Sequence, residues 1–429
     1  MTIASMTKFL RRYWCWIVFV LIVMVGMYLR FWRIESTGGY GWDQARDAWK
    51  VRDVLMGQFV LNGPRTGVGH FHLGPLWYYI EAPFYFISNY DPIGAQYANI
   101  LVNLFNFIAL FWVTRRVFGN GTALFTTGIY TMSRYLVEIN RTPWNVSPIP
   151  GVAVLIFYGI YQVVFYKKYR WIPMVAFLTG LFSHLHFAVV FLPPIIALSF
   201  LAAKDKKKVF LYSLLSLPLF LIWLIPIALF DLQSKGADSN LFQSFLHDYW
   251  VGIHLQFFLH RLNDAFVQFQ TVLLLGGDYP LLKFILPVLF VVFLLFEHDA
   301  KKRILGYLIV LWFLVPLLVY GVYGGSTSEY YVLFNIPMVL WITAYVQGRL
   351  LKGVGSFRVI VIVFLVALWG WNIYLQTKGQ WIKPAYGGLV QQKDEVRQKI
   401  RKGEKMEYNE GIIQTYLYQI WALDKKSSH

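Results

Sequence analysis

The sequence predicts an all-α polytopic membrane protein, and three observations carry that prediction. Hydrophobic residues make up 57% of the 429 positions, and mean hydropathy is +0.50. Charged residues reach only 14%, where soluble domains carry about 25%. The apolar residues fall into runs close to the ~20 residues needed to cross a bilayer core, and short basic clusters separate them.

The first run, 13–31, follows Lys8, Arg11 and Arg12 and closes on Tyr28-Leu29-Arg30-Phe31-Trp32-Arg33. It is too long, and too bulky at its end, for a cleaved signal peptide. The positive-inside rule places the N-terminus in the cytoplasm, together with the basic connections at 115–116, 167–170, 204–208, 301–303 and 349–358. Further spans are expected at 96–113, 121–139, 148–166, 209–230, 281–296, 304–320, 330–346 and 359–374. The run 171–203 has basic flanks at both ends, too long for one span and short for two. It predicts two short helices meeting at Ser183-His184-Leu185-His186 near the outer face, with both histidines as turn and packing residues. The sum is about eleven transmembrane helices and an outside C-terminus.

Two long segments then lie outside, 34–95 and 231–280. In the first, 43–59 sets Trp49, Val51, Leu55 and Met56 against Arg46, Lys50, Arg52 and Asp53, the pattern of an amphipathic helix in the interface. The stretch 75–87 is rich in Trp and Tyr, which suits the headgroup level. The expected division is a transmembrane domain over 1–375, with its first outer loop at 34–95, and a basic extracytoplasmic tail over 376–429. The tail mixes its charges and is expected to form a solvated or headgroup-contacting helical appendage. Net charge is +17, but nearly half of the 39 Lys and Arg residues sit at the cytoplasmic turns, so topology rather than nucleic acid accounts for it. The single cysteine, Cys15, excludes an intramolecular disulfide and a cysteine metal cluster.

Where charge is scarce, isolated charges mark chemistry. Asp43 and Asp47 are four residues apart and share a helical face, with Arg46 three residues from Asp43. One reading is a solvated turn with a local ion pair. The other is a general base, Asp43, beside a cation that holds an anionic leaving group. His70 and His72, two residues apart, share no helical face and point to opposite faces of a strand, which disfavours a metal site and suits polar contact with phosphate or sugar. In 139–148, turn residues fix an outer connection from which the Arg141 guanidinium can reach a cavity and grip phosphate with two donors. Glu329 opens a late span, where capping of the helix N-terminus is favoured over substrate contact.

With these residues the chain resembles the GT-C superfamily of integral-membrane glycosyltransferases, in particular family 39 relatives that include protein O-mannosyltransferases and lipid A aminoarabinose transferases. Asp43-Gln44-Ala45-Arg46 resembles the Asp-Glu-x-Arg motif of the first outer loop, and Gly74-Pro75-Leu76-Trp77-Tyr78-Tyr79 the Pro-Pro-Leu-Tyr-Tyr-Trp motif that follows. Arg141 to Pro148 resembles an Arg-x-Trp-Asn-Pro segment, and Tyr330-Tyr331 an Arg-Tyr-Leu start of a late span. Gln44 departs from the usual Glu and Glu329 from a frequent Arg, so the resemblance does not fix the acceptor.

The resemblance implies a GT-C fold with amphipathic juxtamembrane helices in the first outer loop, in a bacterial or archaeal plasma membrane with its site facing the extracytoplasmic side. It implies inverting transfer of a sugar from a polyprenyl-phosphate donor to a glycan, lipid or protein acceptor. Asp43 is then the base, and Arg46, Arg141 and His72 bind the donor phosphate. Gln44, Asp47, His70, Trp144, Asn145, Glu329 and Tyr330 are the candidate acceptor or substrate contacts. No residue is assigned to a metal, and a divalent ion stays open. The alternatives are a lipid-linked-sugar flippase or transporter and an O-antigen polymerase or ligase. Absence of a visible repeat and the outer placement of the charges favour the transferase.

Overall fold

The computed structural model describes residues 3–250, 252, 255–274, 282–351, 388–404 and 412–427, with 359, 360, 362, 363, 366, 367, 370–372 and 374. Among them the chain is helical, and extended pairing is limited to the isolated bridges Arg65–His72 and Trp250–Tyr323. Among the described residues six helices are long and apolar enough to cross a membrane, including α1 (Ile3–Phe31), α5 (Ile93–Phe118), α8 (Ile149–Tyr166) and α16 (Ala300–Tyr320). The last expected span, 359–374, is described only in part, and its described residues are helical.

The first outer loop carries the two helices that its patterning predicts. Helix α3 (Trp42–Leu55) starts after Gly41, whose N–H donates to the Gln44 side chain at 2.9 Å, and Asp43 places negative charge in the first turn. Helix α4 (Leu76–Ile87) packs between α3 and α5. Its N-terminal end is braced by His184. Leu76 N donates to His184 Nδ1 at 3.3 Å, and the opposite ring nitrogen lies 2.5 Å from the Trp223 carbonyl. A Cβ on Gly74 would stand 2.2 Å from that ring, so only glycine permits this approach. The brace agrees with the turn and packing role expected for His184.

The run 171–203 forms two short helices, α9 (Ile172–Phe182) and α10 (Leu192–Phe200), joined through the expected turn. The expected span 121–139 is interrupted, however. Helix α6 (Asn120–Met132) stops at Ser133, which turns extended and accepts the Leu136 N–H to start α7 (Arg134–Asn140). The span 209–230 bends through a 3₁₀ turn at Ile222–Leu224 between α11 (Lys206–Leu221) and α12 (Ile225–Gln233). The segment 231–280, expected outside, holds α13 (Ala237–Tyr249) and α14 (Leu255–Leu274), and α14 packs on α15 (Leu282–Leu295) and α16. A 3₁₀ turn at Glu329–Asn335 leads into α17 (Ile336–Leu350).

The tail, expected as a solvated or headgroup-contacting helical appendage, is helical and also packs one face against the rest of the chain. Its described residues form α18 (Leu389–Lys402) and α19 (Ile412–Ser427), a hairpin whose Val396, Ile413, Tyr416 and Leu417 share one buried cluster with Ala45, Val51 and Trp77 of the first outer loop. Burying this apolar face costs less than hydrating it. Lys393, 5% exposed, reaches Glu35 at 2.6 Å and Asp91 at 2.8 Å.

Candidate functional site

The site is built outward from a stripe of amides. Gln96, Asn99, Asn103 and Asn106 follow one another at helical spacing on α5, and all four are fully buried. Buried amides must be hydrogen-bonded. Gln96 donates to the Arg141 carbonyl at 3.0 Å, Asn99 to Asn140 at 2.8 Å, and Asn106 to Ser147 at 2.8 Å. The 140–147 turn is thereby pinned to a membrane-spanning helix, and Trp144 and Asn145 are set at the wall of a cavity of about 240 Å³.

Asp43 and Arg46 of α3 face this cavity, as do Arg65, His186 and Tyr330. Arg46 is held between two carboxylates, with Nη1 2.7 Å from Asp43 Oδ1 and Nε 2.9 Å from Asp47 Oδ1. The two acids differ in setting. The Asp43 side chain is 38% exposed, whereas Asp47 is 1% exposed beneath it. Burial pushes the Asp47 carboxyl up to about 7 despite the Arg46 charge. Glu81 of α4, also 1% exposed, is held well above the usual carboxylate range by burial and by the Asp47 charge.

Arg65 enters the cavity on a small hairpin, closed by Gly63 N to Leu73 O at 2.7 Å and Thr66 N to Phe71 O at 2.9 Å. Its Nε donates to His72 Nε2 at 3.1 Å. His72 therefore carries its proton on Nδ1, which donates to Asp238 at 2.9 Å. The chain Asp238, His72, Arg65 fixes a cation at the cavity from the start of α13. Phe71 secures the same hairpin against Phe187, Phe242 and Phe245.

The remaining expected site residues divide into two groups. Trp144, Asn145 and Tyr330 line the cavity, with the Trp144 and Tyr330 rings 4.8 Å apart and Asn145 donating to the Leu185 carbonyl at 2.5 Å. Gln44, Asp47, His70, His72, Arg141 and Glu329 do not line it. Gln44 is buried and donates to the Pro143 carbonyl at 2.9 Å, so it joins α3 to the 140–147 turn. His70 is exposed at the hairpin tip in a left-handed turn, φ 57°, following Gly69 at φ 82°. Glu329 lies in the first turn of its 3₁₀ helix.

Arg141 departs furthest from expectation. It is 3% exposed, and its guanidinium donates to the carbonyls of Leu29 at 3.1 Å, Arg30 at 2.9 Å and Trp32 at 3.3 Å, and to the Thr37 hydroxyl. Those carbonyls end α1 and lack intrahelical partners. The arginine caps a membrane helix, and both its terminal nitrogens are engaged by these partners.

His186, expected as a turn and packing residue, also lines the cavity. Its Nδ1 accepts the Ala188 N–H at 3.0 Å, and burial lowers its pKa to about 4. The neutral ring then carries its proton on Nε2, a donor rather than a base. Among the described residues no three His, Cys, Asp or Glu side chains converge as metal ligands.

No family model matches the sequence, and no curated protein matches it. Solved structures do match. ArnT from Cupriavidus metallidurans bound to undecaprenyl phosphate superposes with a TM-score of 0.56 at 14% identity, over 93% of this chain and 74% of that one. The Archaeoglobus fulgidus oligosaccharyltransferase tethered to an acceptor peptide gives a TM-score of 0.53 at 13% identity, over 95% of this chain and 59% of that one. Both are GT-C superfamily members. The chain has the GT-C fold. With its apolar helices, it is an integral membrane protein.

Proposed function

We propose that the protein is a membrane glycosyltransferase that moves a sugar from a polyprenyl-phosphate donor to an acceptor at the outer face, with inversion at the anomeric carbon. The observation that carries this reading is the pairing of Asp43 with Arg46 at 2.7 Å on the wall of one cavity, within a GT-C fold. That the neighbouring ArnT was solved with undecaprenyl phosphate bound suggests the donor class.

Asp43 uses Oδ1 for Arg46, leaving Oδ2 for the acceptor hydroxyl proton. The acceptor oxygen forms a bond to the anomeric carbon as the bond from that carbon to the phosphate oxygen breaks. The proton passes to Asp43, and polyprenyl phosphate leaves with the electron pair. Charge growing on the phosphate is stabilised by cations fixed before the reaction. Arg46 and Arg65 take that role; both line the cavity and both are anchored by other side chains. All three guanidinium nitrogens of Arg46 face carboxylates, Nη1 that of Asp43 and Nε and Nη2 that of Asp47, which fixes the cation at the cavity wall. Trp144 and Tyr330 offer aromatic faces for a sugar ring, and His186 offers a neutral donor.

The test is incubation of purified protein with radiolabelled polyprenyl-phosphate sugars and a membrane extract. Label should appear on an extract component with wild type and fail to appear with Asp43→Asn. Recovery of all label on the intact donor across the common sugars would overturn the reading.

A further inference from the structure

A second concave site lies outside this cavity, where the C-terminal hairpin meets the turn between α4 and α5. The groove holds about 430 Å³ and is lined by Ser88, Asn89 and Asp91 on one side and by Arg397, Arg401 and Trp421 on the other. We propose that it binds the phosphate-bearing headgroup of an anionic phospholipid at the outer rim of the membrane domain.

Its depth is fixed by the fold. Asp91 lies two residues before Ile93, the first residue of the membrane-spanning helix α5, and its Oδ1 accepts the Ile93 N–H at 2.9 Å. Immediately before the groove, Phe86 and Ile87 are 70% and 73% exposed, and Tyr97 and Leu101 stand exposed on the first turns of α5. Apolar side chains this exposed at the end of a membrane helix belong in lipid. The groove therefore opens at headgroup level.

Its charge fits the same occupant. Lys393, shared with Glu35, offsets part of the Asp91 charge from behind at 2.8 Å, and Arg397 and Arg401 face that acid across the groove. Arg397 lies over the Trp421 ring at 5.1 Å and also contacts Asp394 at 3.3 Å. Arg401 is exposed one turn further along the same helix. Complementing the helix dipole accounts for basic residues in the last turn of α18. It accounts for Arg401 but not for Arg397, a turn earlier, nor for a tryptophan beside both arginines facing hydroxyl and amide groups from another element. Paired cations beside an interfacial aromatic are what an anionic headgroup requires.

The experiment is native mass spectrometry of the full chain in detergent, titrated separately with palmitoyl-oleoyl phosphatidylglycerol, the corresponding phosphatidylcholine and undecaprenyl phosphate. Each arginine near the surface contributes roughly fivefold in affinity, so Arg397→Ala/Arg401→Ala should weaken the tightest phosphatidylglycerol site by about 25-fold. Phosphatidylcholine binding should not change, and Arg397→Lys/Arg401→Lys should keep most of the affinity because the charge remains. Inorganic phosphate at millimolar concentration should not displace the lipid. Equal phosphatidylglycerol binding by wild type and the alanine pair would overturn the proposal. So would equal retention of the two phospholipids, displacement by inorganic phosphate, or loss of undecaprenyl phosphate alone. Glycosyl transfer by the alanine pair in neutral detergent should match wild type, which separates this outcome from failure of the transferase reading.

Discussion

Arg141 Nη1 lies 2.9 Å from the carbonyl oxygen of Arg30, so a guanidinium from the 140–147 turn closes the end of the first membrane helix. Arg30 is itself fully buried, donating to the Tyr130 carbonyl at 2.7 Å and stacking 5.0 Å from the Phe107 ring. The two arginines bind the α1 terminus to the 130–147 region. This relationship separates stability from chemistry at a position where the sequence suggests both.

Arg141→Ala should therefore lower the thermal midpoint in detergent, because losing charge-assisted bonds to carbonyls costs roughly 1.5–3 kcal/mol each. The folded fraction should still bind undecaprenyl phosphate as wild type does. An unchanged midpoint together with lost lipid binding would return Arg141 to the phosphate.

Asp43→Asn should reduce transfer by at least about 10²-fold, the low end for a general base, without loss of folded protein, since the side chain is 38% exposed. Turnover and the thermal midpoint, measured on one preparation, check it. Near-normal turnover rules Asp43 out as the base.

Arg46→Ala and Arg65→Ala should each weaken undecaprenyl phosphate binding more than tenfold, a charge-assisted contact contributing about 1.5–3 kcal/mol. His72→Ala frees Arg65 without removing its charge, so its effect should be smaller than that of Arg65→Ala and absent in the Arg65→Ala background. Titration of the four proteins with the lipid gives that comparison, and additive losses would sink the positioning role of His72.

Stability should fall as pH rises from about 4 to 7, because folded Asp47 holds its proton to about 7 while the unfolded carboxyl releases it near 3.8. Within that window the folded state binds more protons, so rising pH favours unfolding. Asp47→Asn should flatten this part of the profile. Midpoints across the window provide the measurement, and parallel profiles would contradict the burial argument.

Lys393→Met should loosen the C-terminal hairpin, since Glu35 and Asp91 lose their shared partner. Protease cleavage within 388–427 should accelerate, whereas cleavage at the cytoplasmic turns should not. Equal rates at both would show that the apolar contacts of Tyr416 and Leu417 hold the hairpin unaided.

The sequence alone determined what depends on neighbours along the chain. Hydropathy and basic flanks mark α1, α5, α8 and α16, and the apolar periodicity of 43–59 and 75–87 marks α3 and α4, because a helix carries its pattern in local order. The Asp43 and Arg46 pair was legible for the same reason, being one turn apart. The spacing of Gln96, Asn99, Asn103 and Asn106 was equally visible as a polar face, but its partners were not. Tertiary structure decided whatever depends on contacts between distant residues. Arg141 is spent on carbonyls more than a hundred positions earlier, His72 is oriented by Asp238, and Lys393 meets Glu35 across most of the chain. A side chain's chemical freedom is what remains after its bonds are made, and for these residues the bonds are made by segments that only folding brings together.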